Sequence, residues 1–325
     1  MKRLIYIILF LITVQLSFGQ QLPLYSQYQY SKFLINPAVV GSEGFTSFNI
    51  TAREQWVGYS GAPRTYSLSF QSRILKKKFS IKHNIFNRNV YRPKTDGRIG
   101  YGGYIFSDKN GPVQRTGFAA AYSYNIWVQD YTQLSMGLGV TGYHLMINVD
   151  ETSFEDPSEP WLNDYLRKGI FIPDIDFGLY LLNARYSLGF SAQSMLGAAL
   201  KIGEEAYDKY MMSRHYYAFG SYSFNMGHDI ELEPAALVKM SEQIRPQLDV
   251  GLTFIYNQSF WLGATYRTGG ALIGNFRIRY QNMYLGYAFD FTLNEIQKAT
   301  YGTHELIIAL KLGASDKRFR WLDRY

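Results

Sequence analysis

The chain has 325 residues, of which 47% are hydrophobic, 17% aromatic and 18% charged, and its formal net charge is +7. So many aromatic residues and so few charges exclude a disordered chain, and the slightly negative mean hydropathy disfavours a bundle of membrane-spanning helices. The absence of cysteine excludes a disulfide scaffold, a cysteine nucleophile, thiolate metal sites and a lipidated amino terminus. The small positive charge is poor evidence for nucleic-acid binding, and no nucleic-acid partner is predicted.

Residues 1–19 are predicted to be a secretory signal peptide. Lys2-Arg3 precede an apolar run over residues 4–14, and Ser17-Phe18-Gly19 form a small-x-small cleavage site. The apolar run is too short to span a bilayer as a helix of the mature protein, although a single-pass anchor is the alternative. The mature protein is therefore expected beyond the inner membrane.

Residues 20–44 have no strand-like alternation and contain Asn36-Pro37, which is a turn signal. If the rest of the chain closes into a membrane barrel, this amino-terminal segment lies on the periplasmic rim or enters the lumen.

From residue 45 onward, apolar side chains alternate with small or polar ones. For example, Leu248, Val250, Leu252 and Phe254 alternate with polar or small residues, and this period of two is the mark of a strand with one apolar face. Fourteen segments follow this pattern: 45–53, 64–72, 98–107, 115–128, 132–146, 174–183, 185–193, 213–225, 229–240, 246–257, 259–268, 271–280, 282–292 and 303–313.

Many of these segments have the length that a tilted strand needs to cross a bilayer, about 9–11 residues. An outer-membrane barrel turns its apolar strand faces to lipid and fills its interior with small and polar side chains. The sequence therefore predicts an all-β fold, a transmembrane up-and-down antiparallel β-barrel of about 14 strands over residues 45–313, in the outer membrane. A soluble all-β protein is the alternative.

The connectors support the barrel because their lengths follow the parity of the strands. With a periplasmic amino terminus, the periplasmic connectors are mostly tight turns. The longest connectors fall on the opposite, extracellular side, as expected of a bacterial outer-membrane barrel: 54–63, 108–114, 147–173, 194–212, 241–245 and 293–302.

Two periplasmic pieces are unusually basic. Residues 73–97 are long for a periplasmic turn and contain Arg73, Lys76, Lys77 and Lys78. This segment is either solvated surface or a docking patch for an acidic periplasmic partner or anionic lipid headgroups. Residues 314–325 form a basic, aromatic tail that is expected on the same side.

No catalytic or cofactor-binding constellation is present in the sequence. The five histidines have no metal-ligand helical spacing, and no Gly-x-Ser-x-Gly elbow occurs. Loop 147–173 has six carboxylates but no EF-hand spacing, so a calcium site there is the weaker alternative to a solvated loop. Trp161 in the same loop is a candidate partner anchor. The protein is therefore predicted not to be an enzyme and to need no cofactor.

Specific strings resemble the PorP/SprF family, outer-membrane proteins of the type IX secretion system in the Bacteroidetes. The most specific is Arg-x-Gln-Trp-x-Gly-x-x-Gly-Ala-Pro at residues 53–63, followed by Gly-Thr-His-Glu at residues 302–305. The resemblance spans almost the whole mature chain but departs from the family pattern in residues 73–97 and after residue 313. The family-motif residues are Asn36, Pro37, Arg53, Gln55, Trp56, Gly58, Gly61, Ala62, Pro63, Asp108, Gly111, His304 and Glu305.

The resemblance implies a non-enzymatic barrel that supports the secretion and surface anchoring of a cargo protein, such as a gliding adhesin with a sorting domain. It also implies periplasmic partners from the secretion machinery or linked to peptidoglycan. Trp56 either packs as part of a fixed turn or, like Lys76–Lys78 and Trp161, contacts a partner. The alternative functions are an outer-membrane channel for small or apolar solutes and, less favoured by the residues, a hydrolase.

Overall fold

The computed structural model describes residues 25–74, 98–129, 132–148, 169–197, 213–227, 229–242 and 245–312. Four features predicted above lie outside these residues: the signal peptide, Lys76–Lys78, Trp161 and the tail 314–325. Within the described part of the chain, no helix is long and apolar enough to cross a membrane.

In the described residues, alternation of apolar and polar side chains produces fourteen strands, each beginning within about four residues of its predicted start. They are β1 Thr46–Glu54, β2 Arg64–Ile74, β3 Ile99–Asn110, β4 Val113–Gln129, β5 Thr132–Ile147, β6 Ile170–Asn183, β7 Tyr186–Gln193, β8 His215–Tyr222 with a short extension Phe224–Asn225, β9 Ile230–Ser241, β10 Gln247–Tyr256, β11 Phe260–Arg267, β12 Ala271–Tyr280, β13 Met283–Thr292 and β14 Thr303–Leu312.

The strands form one closed antiparallel barrel. Each strand pairs with its neighbour in sequence, and β1 pairs with β14 over nine residues from Thr46↔Leu312 to Glu54↔His304. Closure leaves no free sheet edge, which a lipid-embedded sheet requires because no water is available to pair its backbone groups. The predicted all-β barrel of 14 strands is confirmed.

Side chains divide between the two faces as the alternation predicts. On β10, Leu248, Val250 and Leu252 are exposed on the outer face, whereas Asp249 and Thr253 are buried on the inner face. An exposed apolar exterior around a polar interior is the arrangement of a barrel that faces lipid.

The lengths of the connectors distinguish the periplasmic end of the barrel from the extracellular end. The turns β6–β7, β8–β9, β10–β11 and β12–β13 are short and lie at the end that holds the start of β1 and the end of β14. The long connectors after β1, β5, β7 and β13 lie at the opposite end. The first end is therefore periplasmic and the second is extracellular.

One predicted extracellular loop is wrong. The connector expected over residues 108–114 is only the turn Gly111-Pro112, because β3 and β4 remain paired up to Asn110↔Val113. The polar residues Lys109 and Gln114, which pair with each other on the outer phase of β3 and β4, continue these strands. The apolar alternation could not reveal them, because a strand end that rises above the lipid needs no apolar face.

Candidate functional site

The interior of the barrel holds the amino-terminal part of the chain itself. Residues 25–45, named here the lumenal segment, include two single-turn 3₁₀ helices, Lys32–Leu34 and Pro37–Val39, and nearly all of its residues are buried. The sequence predicts that this segment lies either on the periplasmic rim or in the lumen, and in the structure its described residues lie in the lumen. Its end at Phe45 leads into β1 at the periplasmic end, so the segment extends from there toward the extracellular end.

An outer ionic cluster binds the first residues of the lumenal segment near the extracellular end of the barrel. The cluster consists of five buried charged side chains on the inner wall, Arg53, Asp249, Arg267, Asp290 and Glu305. Arg53 forms ion pairs with Asp290 at 2.8 Å and with Glu305 at 3.1 Å. Arg267 pairs with Asp249 at 2.8 Å and lies 3.6 Å from Asp290. Each charged group thus lies next to a group of opposite charge, which a buried ion needs.

Ser26 and Gln27 are held directly by this cluster. The backbone N–H groups of Ser26 and Gln27 donate to the two carboxylate oxygens of Glu305 at 2.7 and 2.8 Å. The Ser26 hydroxyl donates to the Asp290 carboxylate and accepts from the Arg53 guanidinium. Hydrogen bonds to charged groups are the stronger kind, so the cluster fixes the start of the segment to the wall.

The middle of the segment packs against wall glycines. The Asn36 amide donates to the carbonyl oxygens of Leu179 and Phe190 at 3.0 and 3.2 Å, bridging β6 and β7. A side-chain carbon at Gly137 would collide with the backbone of Ala38, and one at Gly178 would collide with the Asn36 amide oxygen. The inner face of the wall therefore needs glycine where the Asn36-Pro37 turn passes.

At the periplasmic end, two polar contacts hold the last part of the segment. Glu43 pairs with Lys311 of β14 at 2.7 Å. Gln133 of β5 donates to the Ser42 carbonyl oxygen at 3.2 Å and accepts from Arg73 at 2.7 Å. Arg73 therefore lies inside the barrel, which corrects its assignment to the basic periplasmic patch. The alternation assigned β2 an end at residue 72, whereas the strand continues to Ile74.

Apolar contacts complete the packing of the segment. Phe33, Ile35 and Val40 belong to one buried cluster with inward-facing wall residues such as Tyr180 and Phe219. Lys32 lies among them, with Nζ 5.9 Å from the ring centres of both Tyr180 and Phe219, and burial lowers the pKa of its ammonium group to about 8. Burial also raises the pKa of Tyr25 and Tyr28. The hydrophobic core of this protein is therefore in its lumen.

The extracellular block at residues 53–63 forms a fixed turn joined to two neighbouring loops. Trp56 is half-buried and has a positive φ of 47°. Its backbone N–H donates a hydrogen bond to the Thr303 hydroxyl at 3.2 Å. Val57 exchanges backbone hydrogen bonds with Gly302 and Tyr301 of the β13–β14 loop. The Gly111 N–H donates to the Gly61 carbonyl oxygen at 3.1 Å. Three loops are thus tied into one outer platform, residues 55–63, 111–112 and 293–302.

The remaining motif residues have structural contacts of their own. The Gln55 N–H donates to the Pro63 carbonyl oxygen, which closes the turn containing Ala62. Asp108 points inward and accepts from the Thr65 hydroxyl at 2.7 Å. His304 and Glu305 lie on opposite faces of β14, and His304 Nδ1 contacts the Tyr287 hydroxyl at 2.7 Å. The structure thus brings Arg53 and Glu305 together but leaves His304 on the outer face.

Sequence reasoning gave no site role to three members of the outer ionic cluster, Asp249, Arg267 and Asp290. The signal was available, because each occupies the inward phase of an alternating strand, where a charge needs a partner inside the barrel. Their mutual contacts could not be found, because the partners come from different strands. Among the described residues, no group of three or more histidines or carboxylates could hold a metal ion.

These features define a transmembrane β-barrel of the outer-membrane type with a lumen occupied by its own amino-terminal segment. The sequence matches the profile of the family described as type IX secretion system membrane protein PorP/SprF over residues 17–310. The chain belongs to this family, as the motifs predicted, and is an outer-membrane protein of the type IX secretion system. No curated protein matches the sequence significantly.

A comparison with solved structures finds outer-membrane proteins at low sequence identity. Omp33 of Acinetobacter baumannii is 8% identical, with 83% of this chain and 100% of that chain covered and a TM-score of 0.44. The toluene transporter TbuX of Ralstonia pickettii is 13% identical, with 86% and 92% covered and a TM-score of 0.47.

Proposed function

We propose that this protein is a non-enzymatic barrel that supports the secretion and surface anchoring of a cargo protein, such as a gliding adhesin with a sorting domain. Membership in a secretion-system family supports a role in secretion. The resemblance described above supports a cargo protein as the partner.

The observation that carries the proposal is the occupied lumen. The lumenal segment is fixed at its start by the outer ionic cluster, in its middle by Asn36 and at its end by Glu43. Buried ion pairs are costly to break once formed, because each leaves an uncompensated charge. A barrel closed in this way is suited to holding a partner on its outer surface rather than to passing one through its interior.

The outer platform is the candidate cargo contact. Its loops are held by backbone hydrogen bonds, yet Tyr301 is 80% exposed and Tyr59 is 51% exposed. Rigid aromatic side chains supply contact area at a small entropic cost. Trp56 is half-buried in the same platform, so its role as a partner contact and its role in the turn are compatible. Trp161 remains a further candidate.

On the periplasmic side, we expect contacts with components of the secretion machinery or with a peptidoglycan-linked protein. The basic residues Lys76, Lys77 and Lys78 are the candidate contacts, because their connector follows β2, whose end lies on that side. A cluster of cations favours an acidic partner surface.

A solute channel is the competing function, and it makes a distinct electrical prediction. A channel needs a continuous aqueous path, so the lumenal segment would have to leave the barrel. Purified protein in planar bilayers should conduct little, whereas deletion of residues 25–44 should produce a stable open pore. High conductance of the intact protein would favour the channel.

Surface display of cargo tests the proposed function directly. Deleting the protein should abolish the display of one or more secreted proteins, and reintroducing it should restore display. Normal display in the deletion strain would contradict the proposal.

A second arm of this experiment distinguishes anchoring from passage through the lumen. Because the native chain has no cysteine, Glu43→Cys and Lys311→Cys can be bridged by a short thiol-specific crosslinker that holds the segment inside. Display should persist after crosslinking, with the two single-cysteine variants as matched controls. Loss of display only in the bridged protein would mean that the segment must move.

A further inference from the structure

A small cavity lies in the periplasmic half of the barrel between the lumenal segment and the wall. Its volume is about 20 Å³, and its polar lining includes Tyr30, Glu43, Ser47, Arg277 and Lys311. A cavity of about 10–15 Å³ is enough for one water molecule. The space therefore fits a water molecule or a monatomic ion.

Arg277 of β12 is an unusual buried cation in this lining. Its guanidinium carbon lies 3.8 Å from the ring centre of Tyr30 and 3.9 Å from that of Trp261, and the residue is only 4% exposed. Its Nε and Nη2 atoms are buried without a hydrogen-bond acceptor in the described part of the chain. Stacking on aromatic faces offsets part of the cost of burying a charge, but it supplies no hydrogen-bond acceptor.

The other groups of the lining do not supply the missing negative charge. The Glu43 carboxylate faces the cavity but is already paired with Lys311 Nζ at 2.7 Å. Within the lining itself, two cations and one carboxylate leave a surplus of one positive charge. The hydroxyl groups of Ser47 and Tyr30 are also buried without a partner among the described residues, and both can donate a hydrogen bond.

We infer that this cavity is a binding site for a monatomic inorganic anion, chloride under ordinary conditions, held by the Arg277 guanidinium and the hydroxyls of Ser47 and Tyr30. The anion neutralises the surplus charge and accepts the unpaired donors. Because Tyr30 belongs to the lumenal segment, the anion also joins that segment to β1 and β12. This inference does not depend on the proposed cargo function.

Crystallographic replacement of chloride by bromide tests the site. Full-length protein purified in detergent is crystallised in bromide, and anomalous scattering at the bromine edge locates the anion. A bromide peak within about 3.5 Å of the guanidinium nitrogens is expected. A map without a peak in this cavity, whether water or nothing occupies it, would overturn the inference.

Two variants test whether Arg277 is required for binding of the anion. Thermal unfolding in chloride and in gluconate at equal ionic strength should give a Tm that is higher in chloride by about 3 °C or more, since a ligand that binds only the folded state stabilises it. Arg277→Gln should lose both this shift and the bromide peak. Lys298→Gln removes one exposed cation far from the lining and should keep both. If Arg277→Gln does not fold, the bromide map of the native protein alone decides.

Discussion

Arg53 and Glu305 lie directly opposite each other on β1 and β14, the first and last strands, where the barrel closes. Their side chains meet inside the lumen, with Nη1 of Arg53 3.1 Å from Oε2 of Glu305. The same carboxylate accepts hydrogen bonds from the backbone of Ser26 and Gln27. One residue pair therefore joins the seam of the barrel to the segment that occupies it.

Arg53→Ala should strongly destabilise the protein. Removing the guanidinium leaves the buried carboxylates of Asp290 and Glu305 without their main counter-charge, a loss of about 3–5 kcal/mol. The measurement is the free energy of unfolding in urea in detergent micelles. Arg214→Ala is the matched control, because Arg214 is 41% exposed in its pair with Glu242 and its loss should cost under about 1 kcal/mol. Equal losses in the two variants would mean that the outer ionic cluster does not anchor the segment.

Gly137→Ala should loosen the lumenal segment without opening the wall. The added methyl group would meet the backbone of Ala38, and overpacking of this kind costs about 1–3 kcal/mol. Raised conductance in planar bilayers and faster proteolysis within residues 25–44 are expected. Gly274→Ala adds a methyl group on β12 where no atom lies within 4 Å, so it should behave like the native protein. An unchanged Gly137→Ala protein would show that the contact is not tight.

Gly58→Ala should destabilise the outer platform for two separable reasons. Gly58 has a φ of 94°, which disfavours any side chain, and an added methyl group would also contact the Tyr301 ring. Gly111→Ala is the control for strain alone, because Gly111 has a φ of 56° and no atom within 4 Å of the added carbon.

The ring contact at Gly58 can be isolated with a double-mutant cycle. Adding Tyr301→Ala should recover part of the stability lost in Gly58→Ala and none of that lost in Gly111→Ala, because the two residues of the first pair touch. The readout is the free energy of unfolding together with cargo display. If the changes in the free energy of unfolding caused by Gly58→Ala and Tyr301→Ala simply add in the double variant, the two residues do not interact.

Lys32 should give the protein a stability that rises with pH. Burial lowers the pKa of its ammonium group from 10.5 to about 8, so the unfolded chain binds more protons between these values. The free energy of unfolding should therefore increase from pH 8 to pH 10.5 by up to about 3 kcal/mol from this group.

Lys32→Met is the reference for this pH dependence. Tyrosines that titrate in the same range are present in both proteins, so they cancel in the difference between the native protein and the variant. Below pH 8 the variant should be the more stable of the two, because it avoids burying a charge. A difference that does not change with pH would show that Lys32 is solvated in the folded protein.

The sequence by itself determined the wall of the barrel. Alternation is a local property, because successive strand residues point to opposite faces, so lipid on one side and a polar lumen on the other leave a period of two in each segment. That period located all fourteen strands and the parity of the loops. It failed where strands rise above the lipid, at Asp108 and Asn110, and where β2 continues to Arg73 and Ile74.

Only the tertiary structure decided what occupies the lumen and which charges meet there. Ser26 and Glu305 are 279 positions apart in the chain, and no local pattern relates them. The lumenal segment has little alternation of its own because it is surrounded by wall on all sides and its backbone polar groups bond to side chains of the strands. Its place inside the barrel follows from closure of the ring, which brings β1 and β14 together and turns their buried charges toward one point.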